Sequence, residues 1–406
     1  MKNNEEKTIV VVLGGSTNAS GQIRAAYAAG YGCYNLAEKN MHSYTTKSRK
    51  CHGIIAPHPT NEREKCIAFT LDFLKKFDRK PYIFFATDDW MYMVGENEEE
   101  FLKYAHIIQS PWKETLKLYN KKLLYSLAEE YGVPYPKTIE VDSLRKLENI
   151  FDSFVFPCIV KPQLTVDQND VKSAHVKTYH RTQRFEDKDK AMEWVSTMLN
   201  AQLDFPVLVQ EFIPGDATNL YTLTSYSDKD GNLIAGSIGH KLRQFPPEAG
   251  RITAGILEYD ERLKETGELF LKTIGFNGVA NTEFKYDSRD GQYKLMEINT
   301  RFGAWNYSTL YSGMNLMQIA IDDYNGIPYT GPMFKTECDG HIWYNFSQDF
   351  GTSVILNRKA HFDKYILSPR QWKKSLGKHH FEAIYDAEDK KPFMYSLFYA
   401  LKDFIL

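Results

Sequence analysis

The chain has no C-x-x-C pair, and its five cysteines, Cys33, Cys51, Cys66, Cys158 and Cys338, are scattered and odd in number. That spacing indicates neither a zinc site nor a disulfide framework. It has no basic excess: the formal charge is −2, which argues against a general nucleic-acid binder. Long hydrophobic runs are also missing. The first one, Ile9 to Leu13, follows a polar start and is too short for a signal peptide or a membrane span. No internal repeat or low-complexity segment interrupts the 406 residues. What remains is globular composition, 43% apolar and 25% charged, with length for two or three domains. A reducing cytoplasm is the simplest compartment for such a chain, and the expected localisation is cytoplasmic.

The stretch Asn277 to Gly303, N-G-V-A-N-T-E-F-K-Y-D-S-R-D-G-Q-Y-K-L-M-E-I-N-T-R-F-G, reads as a β-hairpin around Asp287-Ser288-Arg289-Asp290-Gly291. If the turn closes near Asp287 and Gly291, one face carries Asn281, Glu283, Glu297, Asn299 and Arg301. The other carries Ala280, Phe284, Met296 and Ile298, which suit a core. One residue more or less in the loop would flip a strand and separate the polar set. Carboxylates and an amide without His or Cys suit Mg²⁺ or Mn²⁺. An arginine beside them suits charge neutralisation on a transferring phosphoryl group. The same pattern also fits an ordinary hairpin with a solvated polar face.

Ahead of the hairpin, Thr8 to Leu13 is a buried-strand signal, followed by Gly14-Gly15-Ser16 and a helical pattern through Ala25, Ala26 and Ala29. Strand, glycine turn and helix open a Rossmann-like α/β domain, although G-G-S-T-N-A-S-G is not the dinucleotide fingerprint. The turn is either a plain connection or a substrate-contacting loop. Further strands are expected at Gly53 to Pro57 and Pro81 to Ala86, with a helix from Glu62 to Phe77. The second strand ends in Thr87-Asp88-Asp89, where an aspartate either faces a ligand at the sheet edge or caps the next helix.

Asn120 to Thr138 reads as a capped helix with Leu123, Leu124, Leu127, Ala128 and Tyr131 as its apolar stripe, ended by Gly132. Phe156 to Pro162 is a strand ending in Lys161, and Phe205 to Asp216 a strand followed by a turn. Strands are expected at Leu220 to Ser227 and Leu233 to His240, and helices at Glu261 to Thr273 and Ser308 to Asn325. Lys241 and Arg243, two apart, share a strand face, as an anion site or as a solvated edge pair. The aromatic, basic-flanked tail from Lys390 to Leu406 cannot span a bilayer; it is expected to dock on its own protein, with an interfacial membrane contact as the alternative.

M-E-I-N-T-R-F-G resembles the E-I-N-x-R segment that closes the active site of ATP-grasp enzymes. N-K followed by an apolar run and G-V-P-Y-P-K-T, then P-C-I-V-K-P, then V-L-V-Q-E-F-I-P-G, resemble the other family segments, in family order across roughly Leu118 to Pro328. The resemblance implies a Rossmann-like N-terminal domain followed by a two-subdomain ATP-grasp fold, α/β and α+β. The divisions are 1–115, 116–208, 209–330 and a C-terminal extension 331–406. It implies ATP held by Lys121, Lys161, Glu211, Phe212 and Ile213, with Asp216 as a ribose contact. It implies Mg²⁺, or Mn²⁺, on Glu283, Glu297 and Asn299, with Arg301, Lys241 and Arg243 at the reacting groups. The segment after Lys161, residues 162–180, lacks the family's Ser-x-Gly lid, so no phosphate contact is assigned there.

Within the superfamily, Q-E-F-I-P-G-D, K-Y-D-x-R-D-G-x-Y-K-L and G-x-N-L resemble carboxylate–amine ligases of the D-aspartate ligase type. That implies an ADP-forming ligase making an amide through an acyl phosphate, from a small-molecule carboxylate and an amine, an amino acid and a cell-wall or capsule precursor. The alternatives are a catalytically silent ATP-binding regulator and an ATP-grasp kinase. The histidines, such as His175, His180 and His240, stand singly and do not suit a phosphohistidine carrier. Neither the substrates nor the oligomeric state can be read from the chain.

Overall fold

The computed structural model describes residues 7–40, 42–141, 143–162, 183–200, 207–247, 250–359 and 363–405. The chain forms two compact units. One comprises Met1–Trp112, Tyr221–Thr282 and Asn299–Leu406; the other comprises Lys113–Leu220 and Glu283–Ile298.

The first unit opens with β1 (Ile9–Leu13), β2 (Gly32–Glu38), β3 (His52–Ala56), β4 (Tyr82–Phe85) and β5 (His106–Ile107). They form a parallel sheet of order β3-β2-β1-β4-β5. Val10 to Leu13 are wholly buried, as a β-branched run needs when helices cover both sheet faces. The glycines after β1 are required by close approach. A Cβ on Gly14, whose φ is +100°, would meet Thr87 Oγ1 at 2.9 Å, and one on Gly15 would meet the His42 carbonyl oxygen at 2.5 Å. The loops after β1, β2 and β4 therefore converge at the carboxyl edge of the sheet, where open α/β sheets bind ligands. The helix Thr17–Ala28 follows, with the Ser16 hydroxyl accepting from Asn18 N.

The second unit holds a four-stranded sheet of β6 (Thr138–Val141), β7 (Cys158–Pro162), β8 (Gln183–Phe185) and β9 (Val207–Glu211), in the order β6-β9-β7-β8. Its core joins Val160, Val207 and Val209 to Ala191, Val195 and Met198 of the helix Lys188–Asn200. The helix Lys121–Glu130 starts at Asn120, whose side chain accepts from Lys122 N and Leu123 N, and ends at Gly132 with φ +70°. Its buried face is Leu124, Tyr125 and Ala128; Leu123 is exposed, so the stripe sits one position round from the expected one.

A seven-stranded sheet comprises β10 (Leu220–Ser227), β11 (Leu233–Phe245), β12 (Arg251–Leu257), β13 (Gly278–Asp287), β14 (Gln292–Asn299), β15 (Ile342–Tyr344) and β16 (His380–Glu382). Its order is β14-β13-β10-β11-β12-β15-β16. The hairpin β13–β14 is where the sequence places it, with Ala280, Phe284 and Ile298 buried; Met296 is only partly covered. The single helix expected over Ser308 to Asn325 is two, Tyr307–Tyr311 and Leu316–Tyr324. Gly313 at φ +77° breaks it, and the Asn315 side chain caps the second piece through Gln318 N. The chain after residue 330 adds β15 and β16 to the sheet and ends in the helix Lys391–Ile405. Among the described residues, no helix is long and apolar enough to cross a membrane.

Candidate active site

In the second unit, the helix Lys121–Glu130, strands β7 and β9 and the distal part of the hairpin bring four of the expected residues together. Lys121 Nζ lies 3.5 Å from Glu297 Oε2. Burial works to lower the Lys121 pKa, but Glu297 first, then Tyr125 and Glu283, overcome it and hold the ammonium above its ordinary value. Glu283 and Glu297 therefore act on the same ammonium. Lys161 is buried; its Nζ donates to Gln210 Oε1 at 2.7 Å and lies 3.4 Å from Tyr125 Oη. Burial and then the neighbouring Lys121 push the Lys161 pKa well down, against a smaller lift from Glu297. Two lysines thus stand beside two partly buried carboxylates, an arrangement whose chemistry suits phosphate and a hard cation. The donor set fits Mg²⁺: all oxygen, with no soft ligand. Among the described residues no group of three or more His, Cys, Asp and Glu gathers, so further ligands must be amide, water or phosphate oxygens.

Gln210 and Tyr125 are members of this cluster that sequence reasoning missed. For Tyr125 the signal was available in the sequence; for Gln210 it needs the strand pairing. Tyr125 is four residues after Lys121 and so on the same helix face. In the β7–β9 pairing Lys161 is opposite Leu208, which puts Gln210, two residues on, on the Lys161 face. The same alternation sends Glu211 to the opposite face. Glu211 pairs with Arg289, lies 3.8 Å from Lys294 and accepts from Lys137 N at 3.1 Å. Buried Asp287 organises this second network, accepting from Arg289 Nε at 2.9 Å and facing Lys294 Nζ at 2.7 Å. Hydrogen bonds from Arg289 lead in holding the Asp287 carboxyl well below the usual carboxylate range.

Phe212 and Ile213 follow β9. Ile213 is buried, and the Phe212 ring is covered by the Arg184 guanidinium at 4.1 Å and by Lys285 Nζ at 5.0 Å. Asp216 caps the short turn Ala217–Asn219, accepting from Thr218 N at 2.9 Å and Thr218 Oγ1 at 2.7 Å. The lid segment 162–180, apart from the end of β7, lies outside the described residues, as do His175 and His180.

In the first unit, Arg301 follows Asn299, the last residue of β14, and makes a two-pronged pair with Asp88: Nε to Oδ1 at 2.7 Å and Nη2 to Oδ2 at 2.5 Å. Asp88 is therefore not a side-chain cap of the helix it opens; Thr87 holds the cap position without a side-chain bond. Asn281 is buried and accepts from Thr224 Oγ1 at 3.1 Å. Lys241 is buried, with Gln244 Oε1 and the Gly250 carbonyl each 3.4 Å from its Nζ.

The shared face expected for Lys241 and Arg243 is overturned by a β-bulge. In the β11–β12 ladder Lys241 is opposite Gly255 and Arg243 opposite Ala254, so Leu242 is the extra residue. Arg243 turns to the side of Leu242, where it holds Asp349 from Nε at 2.9 Å and Nη2 at 2.7 Å and donates to Ser375. Asp349, fully buried, also accepts from Thr253 Oγ1 and Trp372 Nε1.

No family model matches the chain. It is 30% identical over 250 residues, 60% of its length, to D-aspartate ligase of Enterococcus faecium. It spans 59% of that enzyme, less than two thirds. The fold is similar to the crystal structure of L-amino acid ligase from Bacillus licheniformis. The TM-score is 0.57 at 16% identity, covering 82% of this chain and 78% of that one. It is similar also to biotin carboxylase from Campylobacter jejuni in complex with a β,γ-ATP compound. There the TM-score is 0.60 at 15% identity, with 84% and 76% covered. These two likenesses bear on the fold, and the first on the sequence. The chain is thus similar in sequence to D-aspartate ligase over part of its length and shares the fold of these ligase and carboxylase structures.

Proposed function

We propose that the chain is an ADP-forming carboxylate–amine ligase. The observation that carries this reading is the cluster of Lys121, Lys161, Glu283 and Glu297 in the second unit of an ATP-grasp fold. In this proposal Lys121 and Lys161 hold the ATP phosphates, and Tyr125 and Gln210 fix the Lys161 ammonium. Phe212 and Ile213 take the adenine ring, with backbone groups reading its edge. Asp216 serves the ribose, and Glu211 borders the ring while bound to the Arg289 network. Glu283, Glu297 and Asn299, the last two sharing a face of β14, would hold Mg²⁺ or Mn²⁺. When bound, the cation neutralises charge on the phosphates.

Phosphoryl transfer is chiefly a matter of positioning and charge. A carboxylate oxygen attacks the γ-phosphorus, the bond to the β-phosphate oxygen breaks, and ADP leaves an acyl phosphate. An amine then attacks the acyl carbon, phosphate departs, and the nitrogen loses a proton. Arg301 neutralises the transferring group, and Lys241 the carboxylate or the leaving phosphate. Arg243, held by Asp349, serves this edge only if it leaves that partner. The likeness to D-aspartate ligase supports an amino acid as one substrate; a cell-wall or capsule precursor is proposed as the other.

The test is product analysis. ADP and phosphate should form only when a carboxylate and an amine are both present, and hydroxylamine replacing the amine should yield a hydroxamate. AMP would mean an adenylate and a different ligase chemistry; a stable phosphorylated product would mean a kinase. Glu297→Gln should abolish turnover while leaving metal-free nucleotide binding. Arg301→Ala should reduce turnover far more than ATP affinity; equal losses favour a silent ATP-binding protein.

A further inference from the structure

The first unit contains a cavity of about 270 Å³ that none of the residues assigned above to ATP, metal or the reacting groups lines. It sits by the carboxyl edge of the parallel sheet. His42 and Tyr44 reach it from the loop after β2, Phe245 and Arg251 from facing ends of β11 and β12, Asn345 from the end of β15, and Tyr399 from the C-terminal helix. The loop is fixed, because Ser16 N donates to the His42 carbonyl at 3.1 Å. Asn345 is fixed too: its Nδ2 donates to Thr17 Oγ1 at 3.0 Å, and its Oδ1 accepts from Ser347 Oγ at 2.9 Å.

The lining chemistry is selective. Rings and aliphatic groups dominate, amides and hydroxyls supply neutral polar contacts, and among the described residues no carboxylate lines the space. Among the described residues, Arg251, whose side chain is exposed, brings the one permanent charge. Among the described residues, its side chain has neither an ion pair nor a hydrogen bond, whereas Arg243 is neutralised by Asp349. A single cation above apolar walls matches a monoanion with an apolar body. It does not match a polyphosphate, which needs several cations, or an ammonium, which needs a carboxylate. The volume lies below the usual range of about 300–1,000 Å³ for ligand pockets, so the occupant is small. Position also matters. Thr17, which anchors Asn345, is followed by Asn18, whose Nδ2 donates to the carbonyl of Phe302, the residue after Arg301. One helix start therefore braces both the cavity wall and the segment that carries Arg301.

We propose that this cavity binds a small monoanionic carboxylate with an aromatic or branched apolar body. Arg251 holds the carboxylate, and Tyr44, Phe245 and Tyr399 cover the body. This binding does not rest on the function proposed above, whose amino-acid and precursor substrates the cavity does not match.

Titration calorimetry on the full chain without nucleotide tests it, using 3-phenylpropionate, its neutral amide and succinate as probes. 3-Phenylpropionate should bind at least tenfold more tightly than either of the others. Arg251→Gln should remove the preference of acid over amide. Tyr399→Trp, which fills the cavity while keeping the helix apolar, should weaken acid and amide alike by tenfold or more. Equal binding of acid and amide to the unaltered protein overturns the proposal, as does an acid preference that survives Arg251→Gln or affinity that survives Tyr399→Trp. If 3-phenylpropionate binds as expected but no carboxylate supports ADP release, the cavity stands and the ligase reading falls.

Discussion

Arg301 and Asp88 meet side-on, with two parallel hydrogen bonds of 2.7 and 2.5 Å between guanidinium and carboxylate. Such a two-pronged pair fixes direction as well as distance. Arg301 comes from the end of the hairpin and Asp88 from the first turn of the helix after β4. The parallel sheet thus aims a side chain whose proposed work is on the phosphoryl group.

Asp88→Asn keeps the shape and removes the charge that aims Arg301. Turnover should fall roughly ten- to a hundredfold, the scale of a misplaced catalytic group. ATP affinity should change little, because the nucleotide contacts proposed above lie elsewhere. Initial-rate kinetics with varied ATP check this. A change confined to the KM for ATP would mean that Asp88 serves nucleotide binding and does not orient Arg301.

Lys161 gives a pH signature. Its folded-state pKa lies well below the unfolded value of about 10.4. The unfolded chain therefore binds more protons between those two values, and the free protein gains stability as pH climbs through that window. Lys161→Met should lose this dependence. A polyphosphate beside Lys161 favours the charged form and should raise its pKa again. ATP binding above the depressed pKa should then take up a proton, a fraction that grows with pH towards one. Calorimetry in buffers of different ionisation enthalpy measures it. Gln210→Met removes the acceptor at 2.7 Å and should shift the uptake profile to lower pH. No buffer dependence at any pH up to 9.5 would show that Lys161 is not at the phosphates.

Much of this organisation was legible in the sequence, because it follows from local periodicity. The run Ile9 to Leu13, the Gly14-Gly15 turn and the Asp287–Gly291 turn each specify their element through side chains a few residues apart. What escaped depended on partners distant in the chain. The bulge at Leu242 follows from pairing with β12 and from packing beside Trp372 and Leu376. That Gln210 and not Glu211 shares the face of Lys161 follows from the β7–β9 register. Leu123 looks like a core residue until the Tyr125 ring, beside Lys161, takes the inward position. Gly313 could have been read as a helix breaker, but the apolar spacing on either side of it masks the stop.

Asp349 tests whether Arg243 is structural. Its carboxylate is fully buried and accepts from Arg243 twice, Thr253 and Trp372. Asp349→Asn removes the charge and turns an amide donor towards groups that are themselves donors. Arg243 is left mostly covered without its counter-ion. Breaking a buried pair from one side costs on the order of 3–5 kcal/mol, so a loss of about 3 kcal/mol should appear as a lower urea midpoint at unchanged slope. A loss under about 1 kcal/mol would show that water reaches the site and that the network is not a brace. The double variant Asp349→Asn with Arg243→Met removes both charges and should recover part of the loss, since an apolar replacement of a buried pair is often neutral. Its activity then decides the role of Arg243. Turnover near that of the unaltered protein leaves the substrate edge to Lys241 and Arg301. An inactive but stably folded double variant means that Arg243 releases Asp349 during the reaction and reaches the substrates itself.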